Sequence, residues 1–145
     1  MKKVNKVATS PKAEIRGLAI WTLKDRLAVC RLPPKDPVPE WAWSGSFSSV
    51  TRTEDELSVV CAEGIVPEGM LCERGWRCLR VQGPIAFSEI GVLSSLVTPL
   101  AEARISMFVV STYDTDYVLV KQDALSSAQD VLVSHGHVVY REMRG

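Results

Sequence analysis

Val50-Thr51-Arg52-Thr53-Glu54-Asp55-Glu56-Leu57-Ser58-Val59-Val60 and Val110-Ser111-Thr112-Tyr113-Asp114-Thr115-Asp116-Tyr117-Val118-Leu119-Val120 lie over one another without a gap, sixty positions apart. Val50 meets Val110, Thr51 meets Ser111, Glu54 meets Asp114, Glu56 meets Asp116 and Val60 meets Val120. In each copy two apolar strands flank a turn rich in hydroxyls and carboxylates, the pattern of a hairpin. One module used twice is the simplest reading, and a repeat of this kind decides the architecture of the chain.

Working outward, residues 18–23 and 27–32 are short apolar runs separated by Lys24-Asp25-Arg26, and they read as strands. Residues 33–39 hold four prolines, which excludes a central strand or a helix interior there. Glu40-Trp41-Ala42-Trp43 fits one helical turn whose tryptophans plug a core or an interface. The first hairpin occupies 47–52 and 57–62. Residues 64–75 are irregular, with room for two helical turns around 67–73. A strand at 76–81 then closes on Gly83-Pro84.

The clearest helix spans 91–103, with Val92, Leu93, Leu96, Val97 and Leu100 recurring on one face. Ser88 or Glu89 stands before its first turn, where polar and anionic side chains are favoured. Pro99 inside the pattern predicts a kink. The second hairpin follows at 105–111 and 117–121. A second helix runs from Asp123, as N-cap, to His135, burying Leu125, Ala128, Val131 and Leu132, and Gly136 supplies a left-handed stop. Residues 137–141 close the chain as a strand.

The second half therefore reads strand–helix–strand–strand–helix–strand, the split βαβ order of a ferredoxin-like unit. The first half repeats it with the proline-rich segment in place of most of its first helix, and its fourth strand is not evident. The expected fold is α+β, with two ferredoxin-like (βαββαβ) subdomains. A tail at 1–14 precedes a degenerate subdomain at 15–74 and an intact one at 75–145. Eight strands suffice for two four-stranded sheets, and exchange of a strand between them is left open.

The 145 residues carry 17 Lys plus Arg against 17 Asp plus Glu, so no global field draws the chain to nucleic acid or an anionic membrane, and neither is expected as a partner. No apolar run approaches the roughly 18–20 residues that cross a bilayer. The basic stretch at 1–12 leads into no apolar signal segment, so export is not expected and a cytoplasmic setting is. Cys30, Cys61, Cys72 and Cys78 show no C-x-x-C spacing. Three of them sit in apolar strands as small hydrophobes, so neither a disulfide nor a bound metal is expected, and no cofactor is implied.

Phe87-Ser88-Glu89-Ile90-Gly91-Val92-Leu93, followed by the run from Ile105 to Val120, resembles an ACT domain. More narrowly, it resembles the aspartate-kinase type and the small tandem ACT proteins related to the CASTOR arginine sensors. The likeness covers about residues 76–141 well and 15–74 weakly. With no catalytic domain alongside, it implies a non-catalytic regulatory module that senses a free amino acid, or a similar small metabolite, between two ACT units. It also implies a homodimer and an unidentified regulated protein. The site it implies lies against the loop from first strand to first helix, at Ser88, Glu89, Ile90, Gly91 and Val92, facing Ser111, Thr112, Asp114 and Asp116. Backbone N–H groups at a helix start suit an α-carboxylate, and Gly91 leaves room for a ligand. A carboxylate opposite suits an ammonium group.

Three rival readings bear on the same residues. Acylphosphatases share the topology but need a positioned Asn or its equivalent, and the only asparagine is Asn5, in the tail. His135 and His137, flanking Gly136, suit a helix terminus that favours cations better than a metal site. RNA-recognition motifs place aromatics within a basic-aromatic motif on central strands, whereas Phe47, Phe108 and Tyr117 are scattered in a chain of balanced charge. A structural or protein-interaction module without a ligand is the main competitor, since four tryptophans and open strand edges suit an interface.

Overall fold

The structure, a computed structural model, describes residues 15–143, and the tail expected at 1–14 lies outside them. Strands β1 (Ala19–Leu23), β2 (Leu27–Leu32), β3 (Ser49–Arg52), β4 (Leu57–Ala62) and β5 (Cys72–Val81) precede helix α1 (Val92–Glu102). Strands β6 (Met107–Ser111) and β7 (Asp116–Lys121) lead to α2 (Leu125–Ser134), and β8 (Val138–Met143) comes last. The eight strands join in one hydrogen-bonded sheet.

The second half has the ferredoxin-like order β5–α1–β6–β7–α2–β8, with β6 antiparallel to β7 and β7 antiparallel to β5. One strand in it comes from the first half. β1 lies between β5 and β8, antiparallel to the former and parallel to the latter. Its Ile20 and Thr22 are fully buried, and Thr22 Oγ1 accepts a 3.0 Å bond from Gln129 Nε2 of α2. The strand exchange that the sequence leaves open is resolved in this way.

The first half keeps the same strand order, β3-β4-β2-β5, with short 3-10 turns (Glu40–Trp43 and Glu63–Ile65) where the second half has helices. The Arg52 guanidinium donates to the carbonyls of Pro34 and Asp36, which fastens the proline-rich segment to the end of β3. The missing fourth strand is the start of β5: Cys72 pairs with Cys30 and Glu73 with Val29. The helical turns expected around 67–73 do not form, because Gly69 takes a left-handed φ of 81° and Cys72 already begins the strand. β5 thus serves as the last strand of one half and the first of the other. Gly75, at φ 80°, marks the place where its pairing with β2 slips from Val29–Glu73 to Leu27–Trp76.

Three buried clusters hold the fold. Ile20, Leu79, Val81, Leu96, Leu100, Val118 and Leu132 lie between the sheet and the two helices. Cys30, Leu57, Val59, Cys61 and Ala42 form a second cluster, with Trp41 packed against it and Trp43 exposed. Leu27, Val60, Trp76, Cys78 and Leu119 form the third, joining the two halves. Each fully buried Leu or Val contributes roughly 1.5–3 kcal/mol. The aromatics that look scattered in sequence meet at the third cluster: Phe47 and Tyr117 ring centres are 4.9 Å apart, and Trp76 and Phe108 are 6.3 Å apart. They serve packing there.

The two hairpins are equivalent, but at a spacing one residue shorter than the sixty read from sequence. Thr53 N–H donates to Glu56 O, and Thr112 N–H donates to Thr115 O, each at 2.9 Å. Arg52 pairs with Leu57 just as Ser111 pairs with Asp116. In this register the buried triplet Val59-Val60-Cys61 matches Val118-Leu119-Val120. A slip of one residue turns every side chain to the other face of a strand, so the shared valines and hydroxyls of the longer spacing do not occupy matching faces.

Helix starts also differ from expectation. Gly91, at φ 86°, is the N-cap of α1, and Ser88 and Glu89 lie in a turn before it, with Glu89 N–H bonded to Ala86 O. A 3-10 turn (Gln122–Ala124) precedes α2, so Ala124 rather than Asp123 occupies its N-cap. Gly136 does stop α2 in the left-handed region, at φ 88°.

Candidate functional site

The segment between β5 and α1 is fastened to the turn between β6 and β7. Ile85 N–H donates to Asp114 O at 2.7 Å, and the buried Thr115 hydroxyl donates to Val81 O at 2.6 Å. Gly83 makes this approach possible, since a Cβ there meets Asp114 O at 2.9 Å and Thr115 Cβ at 3.1 Å. Between the segment, the first turns of α1 and the hairpin end lies a cleft of about 490 Å³.

Of the residues expected at a site, Glu89, Gly91, Val92, Ser111, Thr112 and Asp116 line this cleft together. Ser88 and Asp114 are not in its lining, although Asp114 helps build it through its carbonyl. Ile90 lines a neighbouring hollow of about 460 Å³, bounded also by Ser94, Thr98, Glu102 and His135, with Gly91 on the wall between the two.

The chemistry of the cleft is polarised. On one side α1 begins at a glycine, with no side chain capping it, and the first N–H groups of a helix carry partial positive charge. On the other, Asp116 accepts a 2.7 Å bond from Ser111 Oγ, and Glu89 adds a second carboxylate. Among the described residues lining the cleft there is no Lys, Arg or His. The arrangement accommodates a ligand with an anionic and a cationic end.

Phe87, Leu93, Tyr113 and Thr115, within the same two stretches, also line the cleft, whereas sequence reasoning missed Ile85, Ala86, Ser94 and Val97. Ser94 and Val97 were accessible from helical spacing, lying three and six residues beyond Gly91. Tyr113 packs edge-on against Phe87, ring centres 4.9 Å apart. Phe87, Ile90 and Tyr113 are 75%, 80% and 79% exposed, an apolar rim beside a cleft whose walls are themselves largely apolar apart from its carboxylates and hydroxyls.

The histidine pair is split by burial. His137 is only 4% exposed; Leu18 N–H donates to its Nδ1 at 3.3 Å, and its Nε2 lies 3.3 Å from Ser95 O. Burial, with the nearby His135 and Arg16, pushes it below the usual imidazole value against the opposing effect of the Ser95 carbonyl. His137 is therefore a neutral packing group and not the helix-end cation expected. Among the described residues no three His, Cys, Asp or Glu side chains are placed to hold a metal, and no helix is long and apolar enough to cross a membrane.

Comparison with known proteins gives a consistent family. A model of the ACT domain matches residues 71–134, and a model of another family's N-terminal domain matches 25–69. The chain is 31% identical over 121 residues to the Bos taurus cytosolic arginine sensor for mTORC1 subunit 1, covering 77% of this chain and 37% of that protein. It therefore spans just over a third of that relative's length. With the human protein CASTOR3P it shares 30% identity over 115 residues, 68% of each chain. A crystal structure of a protein from Agrobacterium tumefaciens superposes with a TM-score of 0.84 at 37% identity, over 90% of this chain and 97% of that one. Aspartate kinase from Clostridium acetobutylicum shares the fold, with a TM-score of 0.60 at 12% identity over 81% of this chain and 34% of that one.

Proposed function

As the chain belongs to the ACT-domain family, of the aspartate-kinase and CASTOR-like type, we propose that it is a non-catalytic regulator that binds a free amino acid. The cleft between the β5–α1 segment and the β6–β7 hairpin carries the reading. Its uncapped helix start suits the α-carboxylate, and Asp116 with Glu89 suits the ammonium group or a basic side chain. Arginine, which the bovine relative is named for sensing, heads the panel of ligands to test.

The exposed rim of Phe87, Ile90 and Tyr113 supports a homodimer in which a second copy closes the cleft, placing the ligand between ACT units. The halves 15–74 and 75–145 are read as two ACT-like subdomains, the cleft lying in the second. The signal then passes to a regulated protein in the cytoplasm, the compartment named for the bovine relative.

The rim also favours a second reading, an interaction module without a ligand. Thermal melting against the free amino acids at millimolar concentration separates the two. A ligand at a hundredfold above its dissociation constant adds roughly 2.7 kcal/mol, a shift of several degrees. No shift with any amino acid leaves the interaction module standing.

A further inference from the structure

The first half contains a cluster of thiols that the proposed binding function does not use. Cys30 on β2 and Cys72 on β5 are directly opposite in antiparallel register, and Cys61 on β4 lies in the same buried cluster. All three are free thiols. From this juxtaposition we propose that Cys30 and Cys72 form a reversible oxidation site, closing to a disulfide when a hydroperoxide oxidises the chain.

The backbone pattern selects this pair. Arg31 N–H donates to Leu71 O at 3.0 Å, so Arg31 and Leu71 are a hydrogen-bonded pair of the ladder. The next pair along, Cys30 and Cys72, is of the non-hydrogen-bonded type, in which Cα atoms approach to about 4.5 Å. That spacing falls within the roughly 4.4–6.8 Å that a disulfide spans. Cys61 is placed differently. It pairs with Ala28, and Cys30 with Val59, so Cys61 is a diagonal neighbour of Cys30 at a wider backbone spacing of about 7–8 Å, its thiol hydrogen-bonded to that of Cys30.

The two thiols also differ in role. Burial first, and then the neighbouring Cys61 and Cys72, push Cys30 up to about 12, so it stays protonated and shielded. Cys72 is only half-buried, at the start of β5 beside the exposed Leu71. Its sulfur attacks one oxygen of the hydroperoxide and breaks the O–O bond, giving a sulfenic acid and, from hydrogen peroxide, water. The Cys30 sulfur then displaces the hydroxyl from the Cys72 sulfur, and that hydroxyl leaves as water with the Cys30 proton. Two thiols lose two electrons in total, and one peroxide gains them. The bond ties β2 to β5 three residues before the left-handed Gly75. A thiol reductant reverses the step by attacking the half-buried Cys72 sulfur and releasing the Cys30 thiol.

The test uses the reduced full chain, treated with stoichiometric hydrogen peroxide, quenched with an alkylating agent and mapped by mass spectrometry without reduction. Trypsin combined with a Glu-specific protease separates Cys61 from Cys72 by cutting at Glu63 and Glu68. The expected product is a chain lighter by two hydrogens, with two of its four thiols lost and a Cys30–Cys72 linked peptide that dithiothreitol releases. Cys61→Ser retains the link and Cys72→Ser abolishes it. Sulfinic or sulfonic acid on Cys72 with Cys30 still alkylated overturns the proposal, as does a link through Cys61 or between Cys72 residues of two chains. The wild-type map alone is decisive, so the test does not depend on either variant folding.

Discussion

His137 donates from Nε2 to the carbonyl of Ser95, 3.3 Å away, in the turn of α1 where that carbonyl lacks its ordinary partner. The residue four positions on is Pro99, which has no N–H to give, and yet α1 continues through it to Glu102. The tautomer follows from the other ring nitrogen, since Leu18 N–H can only donate and Nδ1 must accept. One buried imidazole therefore joins β8, the segment leading into β1, and the helix that lines the cleft.

His137→Ala should cost about 1–3 kcal/mol, the penalty for leaving a buried donor and acceptor unpaired. Urea denaturation at pH 7.5 measures it. The sign of the pH effect follows from the depressed imidazole. The unfolded chain titrates near 6.5 and the folded chain lower, so on acidification the unfolded state takes up its proton first. His137 therefore contributes fully above pH 6.5, and its contribution is lost as pH falls through the folded value. Wild type should lose stability between pH 7.5 and 5 more steeply than His137→Gln. Parallel curves refute the assignment.

Much of this fold was legible because its signals are local. The short apolar runs of β4 and β7 and the helical spacing of Leu96 and Leu100 are each contained within a few residues. Gly136 announced its left-handed stop in the same way. What sequence did not show depends on distant partners. The polar Glu73 and Arg74 and the flexible Gly75 hid the start of β5, whose pairing is fixed by β2 more than forty residues earlier. The hairpin register slipped by one because hydroxyls and valines recur on both sides of the turn, and only the hydrogen bonds of Thr53 and Thr112 fix it. In the cleft, Gly91 and Asp116 were reached through the resemblance of the stretches that hold them, whereas Ile85 is brought in by the docking of a loop onto Asp114.

Gly75→Ala tests the bulge in β5. No atom lies within 4 Å of a Cβ built at Gly75, so the cost is conformational alone. A left-handed φ costs an L-residue about 1–2 kcal/mol, and that loss is expected in chemical denaturation. Gly64→Ala, equally open in space but without a positive φ, is the control and should be near neutral.

Thr115→Val keeps the shape of a buried side chain and removes only the hydroxyl that donates to Val81 O at 2.6 Å. The orphaned carbonyl should cost about 1–3 kcal/mol. Because this bond holds the hairpin turn against the end of β5, amide exchange at Ile85, whose N–H bonds to Asp114 O, should accelerate by more than the global loss accounts for. Exchange at Leu79, in the centre of β5, should follow the global loss alone.

Asp116→Ala bears on the ligand. The carboxylate faces the cleft with one oxygen engaged by Ser111, which leaves the other for an ammonium or guanidinium group. A hydrogen bond to a charged group contributes about 1.5–3 kcal/mol, so the variant should bind the amino acid found in the melting panel about 10–100-fold more weakly by calorimetry. Asp116→Asn keeps an acceptor for Ser111 but removes the charge, and it should fall close to the alanine variant if the contact is ionic. Ser111→Ala should weaken binding far less, since it frees a carboxylate oxygen without removing one. Unchanged affinity in Asp116→Ala places the cation elsewhere, and Glu89, the other carboxylate of the cleft, is then the residue to vary.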